Sequence, residues 1–256
     1  MKTRVWNLKK HYVRLPRRYK APLTDTVSAI TKISYLIPLF IISCDNQSVE
    51  PDISTLGYDY YPIETGQIRT YEVYEILYNV FGTHDTLEYQ LRETVETSFI
   101  DQAGETNYVL LREVKFKNEA NWSIDSTWST YRTLHSAVLV KNGNPVIPIV
   151  FPPNEGVVWD ANSLNAKDVD EYMIHNLDSS YTLNGETYPI LQVIQEDKAD
   201  TIVEFIYKIE VFAKGIGLVE KEDNHFLFCQ LLCPESNPFL SGRAYIQKMI
   251  EYSENE

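Results

Sequence analysis

The 256-residue chain divides into a basic beginning and a strongly acidic remainder. Residues 1–43 contain nine Lys and Arg residues and one acidic residue, whereas residues 44–256 contain 14 basic and 35 acidic residues. The remainder has no basic stripe that could neutralise phosphates, which argues against nucleic acid as a partner. Residues 44–256 are numerous enough to bury a sizeable hydrophobic core. A basic head before an acidic body is typical of a targeting segment followed by a folded domain.

Residues 33–43 form a short apolar stretch, ISYLIPLFIIS, that follows Lys32. As a helix it would span about 16 Å, roughly half of a ~30 Å hydrocarbon core. This length is too short for a permanent transmembrane helix and suits the apolar region of a signal peptide. The preceding 32 residues are longer than the usual basic region of such a leader. Either the leader is extended or translation starts downstream of Met1.

The apolar stretch ends in Ile41-Ile42-Ser43-Cys44, which resembles the lipobox of bacterial lipoproteins. In that family a peptidase cuts directly before the cysteine, and the thiol carries a diacylglycerol. The resemblance implies signal cleavage between Ser43 and Cys44 and lipid attachment at Cys44, with acyl chains such as palmitate. It also implies a membrane partner through the lipid anchor and a place in the cell envelope, with the outer membrane as the expected membrane. The alternatives are an ordinary cysteine in an uncleaved membrane anchor or in a buried helix, and a secretory signal without lipid.

Three segments follow from this interpretation: a lipoprotein signal peptide over residues 1–43, a flexible tether over 44–57, and one domain over 58–256. The tether is polar and lacks periodicity after Cys44. No composition break divides the body, so we expect it to fold alone.

The body predicts antiparallel β-structure, because apolar residues alternate with polar ones along several segments. The predicted apolar faces contain Tyr89, Leu91, Val95 and Phe99, then Tyr108, Leu110, Val114 and Phe116, then Trp122, Ile124 and Trp128, and finally Val203, Phe205, Tyr207, Ile209 and Val211. In the last segment Glu204, Lys208 and Glu210 are expected on the wet face. We therefore predict a mainly β fold, a single antiparallel curved sheet or half-barrel with at most one or two short helices.

Turn residues separate these segments. Hairpin turns are predicted at residues 101–104, at 141–144, and at Asn184-Gly185. The segment with Pro145, Pro148, Pro152 and Pro153 is predicted to be an edge strand or a loop. A helix is the first expectation for about 162–176, and a strand over 171–177 is the alternative.

Two short motifs in the body resemble a group of Gram-negative secreted lipoproteins of unknown function. The motifs are Tyr61-Pro62 followed by Gly66-x-x-Arg69-Thr70-Tyr71, and the later run Ala213-Lys214-Gly215-Ile216-Gly217-Leu218-Val219. The resemblance implies a curved, half-barrel-like sheet, with similarity to lipoprotein carrier folds at the level of fold alone. It implies no known activity.

No catalytic or metal-binding signature stands out, so we expect no cofactor, metal or catalytic residue. The pair Gly215-x-Gly217 lacks the third glycine and following helix of a dinucleotide loop and predicts a bend between strands. The acidic group of Asp168, Asp170 and Glu171 does not match a calcium loop, and a solvated acidic face is expected. The body's histidines lie far apart in the sequence, at His84, His135, His175 and His225.

Cys229 and Cys233 are candidates for a disulfide, because an exported domain meets an oxidising compartment. They would pair only if a turn brings their Cα atoms within about 4.4–6.8 Å. Two buried free thiols are the alternative, followed by a metal or redox role.

The cluster of Tyr58, Tyr60 and Tyr61 either closes one end of a β core or lines a pocket.

Two functions from different classes follow. The first is a non-enzymatic binding or structural lipoprotein whose partner is an apolar ligand, a glycan or an envelope protein. The second is an enzyme whose site assembles from scattered residues such as His135, His175 and acidic side chains. The nature of the sheet's concave face distinguishes them, because an apolar cavity favours ligand carriage and a polar cleft with converging histidines and acidic side chains favours catalysis.

Lipid attachment is tested by growing cells with a labelled fatty-acid analogue. We expect label on the wild-type protein and none on Cys44→Ala, because the variant lacks the thiol that would receive the lipid. Equal labelling of the two proteins would contradict the assignment of Cys44.

Overall fold

Twelve antiparallel strands form a single sheet in this computed structural model, which describes residues 53–81, 83–200, 202–230 and 239–254. The described residues all belong to one unit, Glu50–Glu256. The strands are β1 (Ile68–Tyr78), β2 (His84–Ile100), β3 (Thr106–Phe116), β4 (Ser123–Arg132), β5 (Ser136–Lys141), β6 (Asn144–Val150), β7 (Val158–Asp160), β8 (Glu171–Leu183), β9 (Glu186–Asp200), β10 (Glu204–Ala213), β11 (Gly217–Phe228) and β12 (Phe239–Ser253).

The order across the sheet is β6-β5-β4-β3-β2-β1-β12-β11-β10-β9-β8-β7, so consecutive hairpins are joined by one long-range pairing of β1 with β12. The two edges approach each other. The Ile147 N–H donates to the Ala161 carbonyl at 3.0 Å, and the Trp159 indole N–H donates to the Ile147 carbonyl at 2.9 Å. The sheet is thus curved and nearly closed, which confirms the predicted mainly β fold class.

The predicted turns lie where the sequence indicated. Asn142-Gly143 and Asn184-Gly185 adopt positive φ at both positions, as tight hairpins between twisted strands require. Asp101 accepts hydrogen bonds from the backbone N–H groups of Ala103 and Glu105 and so orders the β2–β3 turn. Pro145 and Pro148 lie in β6, an edge strand, as predicted.

The helix expected over 162–176 is wrong, and the alternative strand is correct. Within the described ranges the only helical segments are two short 3-10 turns, Ile53–Leu56 and Tyr58–Tyr60. Asp160 Oδ1 accepts from the backbone N–H groups of Asn162 and Asp170, which closes a turn instead of starting a helix. No apolar helix of membrane-spanning length occurs among the described residues.

β-bulges interrupt two of the predicted faces and flank a third, and each bulge places the side chains before and after it on opposite faces. The β2–β3 register skips Glu96, and Phe99 is exposed. The β3–β4 register skips Asp125, so Ile124 lies at the surface while Trp128 lies inside. Bulges in β9 and β11 flank β10, which is buried on both faces near its end, and Glu210 there is inside, not wet as predicted.

The core consists of three clusters. The largest cluster packs Tyr71, Val73 and Leu91 against the end of the β8–β9 hairpin. A hydrogen bond also holds this hairpin, because the Asn184 amide donates to the Ile250 carbonyl at 3.2 Å. The second surrounds Tyr60 and Phe212. The third contains Ile63, Val95 and Leu110 and adjoins the cavity described below.

Aromatic rings pack together where β1 and β11 end and β12 begins. The rings belong to Tyr78, Phe226 and Phe239, and the centroids of Phe226 and Phe239 are 4.5 Å apart. Gly242 permits this contact. It pairs with Phe226, and a Cβ at Gly242 would lie 2.4 Å from the His225 carbonyl oxygen and 2.8 Å from the Phe226 Cα. Its φ of +155° also favours glycine.

We therefore expect Gly242→Ala to destabilise the fold by about 2–4 kcal/mol, because backbone atoms must move to admit the methyl group. The control is Gly104→Ala, since Gly104 also has a positive φ (+85°) but no atom within 4 Å of the added Cβ. It should cost only the ~1–2 kcal/mol of the left-handed conformation. Urea unfolding of both variants measures the difference, and equal losses would contradict the close approach.

Candidate functional site

The interior of the sheet contains a cavity of about 390 Å³. Residues from β1–β6 and β10–β12 line it, and Tyr61, Pro62 and Ile63 form part of its wall ahead of β1. Of the side chains that line it, five are cationic and four are carboxylates: Arg69, Arg112, Lys141, Lys221 and Arg243, and Glu93, Asp125, Glu210 and Asp223. A polar interior of this kind differs from the apolar cavity that would favour carriage of an apolar ligand.

Two cross-strand ion pairs hold the charged side chains inside. Glu93 and Arg112 are register partners on β2 and β3, with 3.0 Å between Arg112 Nε and Glu93 Oε1. Glu210 and Lys221 are register partners on β10 and β11, with 2.6 Å between Lys221 Nζ and Glu210 Oε1. The two residues of each pair lie directly opposite each other on the same face of neighbouring strands, so their side chains meet. Each charge needs its partner because an unpaired buried charge is strongly destabilising.

The electrostatics of the cavity centre on Lys141, at the end of β5. Burial lowers the pKa of the Lys141 ammonium to about 8, and the cations of Lys221 and Arg112 act in the same direction, opposed by Glu210 and Glu93. Burial alone would raise the pKa of Glu210, but Lys221 and Lys141 outweigh it and hold that pKa below its ordinary value. Lys141 forms no ion pair with any described residue.

Trp128 brings two of these cations together. The Arg112 guanidinium lies 3.9 Å and the Lys141 ammonium 5.1 Å from the Trp128 ring, within the range of cation–π attraction. The Trp128 Nε1–H is buried and has no hydrogen-bond partner among the described residues, and the same is true of the Gln247 Nε2 amide. Unpartnered buried donors are costly, so these two groups are candidates for contact with a ligand.

The tyrosine cluster fulfils both roles that the sequence left open. Tyr61 lines the cavity, and its hydroxyl lies 3.0 Å from Thr130 Oγ1; burial raises the pKa of Tyr61 to about 12. Tyr60 is buried in the core and donates to Asp178 Oδ1 at 2.9 Å. Tyr58 packs edge-on against Phe151. The segment therefore closes the core at Tyr60 and contributes a wall of the cavity at Tyr61.

The two sequence motifs of the body meet beside this wall. Arg69 Nε donates to the Ile216 carbonyl and Arg69 Nη2 to the Pro62 carbonyl, both at 2.8 Å. The Tyr71 hydroxyl donates to the Leu218 carbonyl at 3.0 Å. A Cβ at Gly217 would lie 3.3 Å from the Arg69 guanidinium, so glycine leaves room for this contact. The bend predicted at Gly215-x-Gly217 is present between β10 and β11.

The predicted lipid-attachment and cleavage sites, Cys44 and Ser43, lie outside the described residues and stay predictions, as do the bounds of the leader. Residues 53–57, at the end of the predicted tether, include a 3-10 turn and the buried Gly57.

Cys229 is disulfide-bonded. Cys233 lies outside the described residues, so the Cys229–Cys233 pairing stays a prediction.

The structure does not bring the histidines of the enzyme hypothesis together in the cavity. None of the four described histidines lines it. His175 instead lies 2.9 Å from Glu155 Oε1, and Glu155 also accepts from the backbone N–H of Leu177, which supports the irregular stretch of β8. Among the described residues no three His, Cys, Asp or Glu side chains are placed to hold a metal ion.

Sequence reasoning missed the charged residues of the cavity, although a signal was present. Glu93 lies between Leu91 and Val95 on a face that is otherwise apolar, and Arg112 lies between Leu110 and Val114 on the next strand. A charge at the centre of an alternating apolar face, repeated with opposite sign on the neighbouring strand, predicts an inward ion pair. Lys141 carried no such signal, because it belongs to a predicted turn.

No protein-family model and no curated protein matches the chain. Two solved structures are similar at 10% identity: a candidate lipoprotein from Parabacteroides distasonis (TM-score 0.38, covering 76% of this chain and 98% of that one) and a candidate exported protein with a YmcC-like fold from Bacteroides fragilis (TM-score 0.35, 75% and 98%). A candidate outer membrane lipoprotein-sorting protein domain from Vibrio parahaemolyticus is similar at 13% identity (TM-score 0.17, 75% and 86%). These likenesses are too distant to carry an argument about activity.

The Lys141 ammonium, which is partly desolvated in the cavity, predicts a pH-dependent cost to stability. Because the folded-state pKa is about 8 and an unfolded lysine titrates near 10.4, the folded protein bears the full cost of the charge below pH 8. That cost disappears as the pH rises from 8 to about 10.4. We expect Lys141→Met to be more stable than wild type by roughly 1–3 kcal/mol at pH 7, the lower figure allowing for solvent in the cavity.

Urea unfolding at pH 7 and pH 10 checks this expectation, and the advantage of Lys141→Met should shrink at the higher pH. The matched control is Lys167→Met, because Lys167 is exposed. Its difference from wild type should be small at both pH values. A Lys141→Met advantage that is absent at pH 7, or unchanged at pH 10, would contradict a charged, partly desolvated lysine.

Proposed function

We propose that this chain is a lipid-anchored protein of the bacterial cell envelope whose β domain binds a small molecule in its interior cavity. The proposed role is binding without catalysis. The observation that carries it is the 390 Å³ cavity, which retains unpartnered donors where a purely structural sheet would have a packed core.

The envelope location is supported by the leader and by the charge of the body. The apolar stretch 33–43 and the motif ending in Cys44 resemble a lipoprotein signal. The acidic body is repelled by anionic headgroups, so attachment to a membrane requires the lipid and not surface charge. We propose the outer membrane as the anchoring membrane, in keeping with the resemblance of the body to Gram-negative lipoproteins.

Ligand binding is favoured over a structural role because the polar interior is energetically costly. Buried ion pairs are often no more stabilising than apolar residues of similar volume, so Glu93–Arg112 and Glu210–Lys221 are weak contributors to stability. Polar groups that converge on a pocket within an apolar frame are instead the usual composition of a small-molecule site. The volume lies near the lower end of the roughly 300–1,000 Å³ range of such sites.

The same chemistry argues against a long acyl chain as the ligand. Methylene groups placed against Arg112, Lys141 and Lys221 would displace solvent from these cations without replacing its hydrogen bonds. A ligand with both a polar and an apolar part suits the cavity better, because Ile63, Val95 and Leu110 offer an apolar wall.

Native mass spectrometry of the mature, exported protein tests the proposed function. We expect wild type, purified directly or after incubation with a small-molecule extract of the producing cells, to carry an additional small-molecule mass. Val114→Trp should lose that mass, because Val114 lines the cavity and the larger side chain fills it. Leu139→Phe is a second filling variant on another strand.

The matched control is Ile124→Trp, an equivalent enlargement at a side chain that is 71% exposed outside the cavity. It should retain the ligand. Melting temperatures close to that of wild type show that a filling variant is folded. A wild-type protein without additional mass, or folded filling variants that all retain it, would refute the proposed function.

A further inference from the structure

Three donors in the cavity are left without an acceptor. The Lys141 ammonium has no carboxylate partner, and the Trp128 Nε1–H and Gln247 Nε2 amide have no hydrogen-bond partner within the described part of the chain. Gln247 is only 2% exposed, and the Tyr245 hydroxyl donates to its Oε1 at 2.7 Å. This bond occupies the acceptor end of the amide, and the donor end has no partner among the described residues.

The carboxylates that line the cavity are already engaged by other cations. Glu93 and Asp125 lie 3.0 and 3.3 Å from nitrogen atoms of Arg112. Glu210 lies 2.6 Å from Lys221 Nζ, and Asp223 lies 3.4 Å from Arg243 Nη1. These carboxylates therefore accept from other partners and leave Lys141 unmatched.

Arg69 adds to the donors of the lining. Its hydrogen bonds go to neutral oxygens, the carbonyls of Ile216 and Pro62 and the Gln67 Oε1 at 3.1 Å. The cavity thus has a surplus of donors, because Lys141 and Arg69 lack a carboxylate partner among the described residues, while its charges balance once Glu75, 2.6 Å from Arg243, is counted. An anion with acceptor oxygens complements this surplus, and a cation or a donor-rich ligand does not.

An apolar wall lies beside the unmatched donors. Ile63, Val95 and Leu110 form one buried cluster, and Trp128 and Leu139 pack against the same cluster. Trp128 therefore contacts the apolar wall through its ring, and its Nε1–H is a buried donor without a partner among the described residues. The ligand that fits has an apolar part of limited size and one anionic end.

We propose that the cavity binds a small amphipathic carboxylic acid in its carboxylate form. Lys141 Nζ and Trp128 Nε1 bind the carboxylate, Gln247 Nε2 is a further donor, and the apolar part lies against Ile63, Val95 and Leu110. This inference rests on the proposed function and names the chemical class of its ligand.

The titration of Lys141 gives the binding a characteristic pH dependence. The charged groups that act on Lys141 are Lys221 and Arg112, which oppose its protonation, and Glu210 and Glu93, which favour it. Above pH 8 the free protein loses the Lys141 proton, so binding of the anion must restore that proton. Affinity for the carboxylate should therefore fall as the pH rises from 8 to 10.

The test uses two probes of nearly the same shape, 4-phenylbutanoate and the neutral 4-phenylbutanamide. Isothermal titration calorimetry is performed on the mature lipoprotein in phosphatidylcholine nanodiscs, with empty nanodiscs as the blank. At pH 7 we expect 4-phenylbutanoate to bind at least tenfold more tightly than the amide. Lys141→Met should lose at least tenfold in carboxylate affinity while its amide affinity stays within twofold of wild type.

Two further variants separate charge from shape. Trp128→Phe keeps a ring but removes the N–H, and it should weaken carboxylate binding severalfold. Lys141→Arg keeps a charge that does not titrate, so its carboxylate affinity should not fall between pH 8 and pH 10. The exposed Lys167→Met is the matched control and should bind both probes as wild type does.

The outcomes distinguish this inference from the proposed function. Equal affinity for the two probes, or unchanged carboxylate binding in Lys141→Met, would overturn the carboxylate inference and leave the binding function intact. Failure of 4-phenylbutanoate to bind would also overturn the inference, even where native mass spectrometry finds a ligand. The absence of any ligand in that earlier experiment refutes the binding function itself.

Discussion

The interior of this sheet is organised by the requirement that charge removed from bulk water must be matched. A sheet that curves until its edges approach each other encloses one face, and side chains deep on that face lose most of their hydration. Glu93 and Arg112 satisfy the requirement as direct neighbours on β2 and β3, and Glu210 and Lys221 do so on β10 and β11. These pairs allow the interior to contain a polar cavity, and Lys141 and Arg69 are the lining cations without a carboxylate partner among the described residues.

The long-range closure of the fold depends on a second group of contacts, at the beginning of β1. Arg69 and Tyr71 reach across the interior to the carbonyls of Ile216 and Leu218, so that β1 is tied both to its ladder partners and to the β10–β11 bend. Gly217 makes the approach possible because it has no side chain to meet the guanidinium. The two motifs that resembled secreted lipoproteins are thus halves of one structural contact, and their joint presence in the sequence has a physical reason that is independent of ligand binding.

The sequence predicted the fold class, the hairpin turns and the proline-containing edge, because these features are set by local rules of alternation and turn chemistry. It could not predict on which face a residue lies after a bulge. Phe99 and Ile124 follow the alternation that was expected, yet the skipped residues Glu96 and Asp125 place them on the face opposite to Val95 and Trp128, at the surface. Burial of both faces of β10 depends on strands distant in sequence, so the inward position of Glu210 had no local signal. The cavity is therefore a product of register, which periodicity alone does not encode.

The charge of the domain limits how an anionic ligand would be recognised. The acidic body repels an approaching carboxylate at long range, but at physiological ionic strength this repulsion is screened beyond about 8 Å. Selection must then occur inside the cavity, where a lower effective dielectric strengthens the attraction of Lys141 and where the Trp128 N–H adds direction. A fully hydrated small anion gains little from entering, because the loss of its hydration offsets this attraction. An apolar part that leaves water for the wall of Ile63, Val95 and Leu110 adds about 25 cal/mol per Å² of buried surface and makes entry favourable.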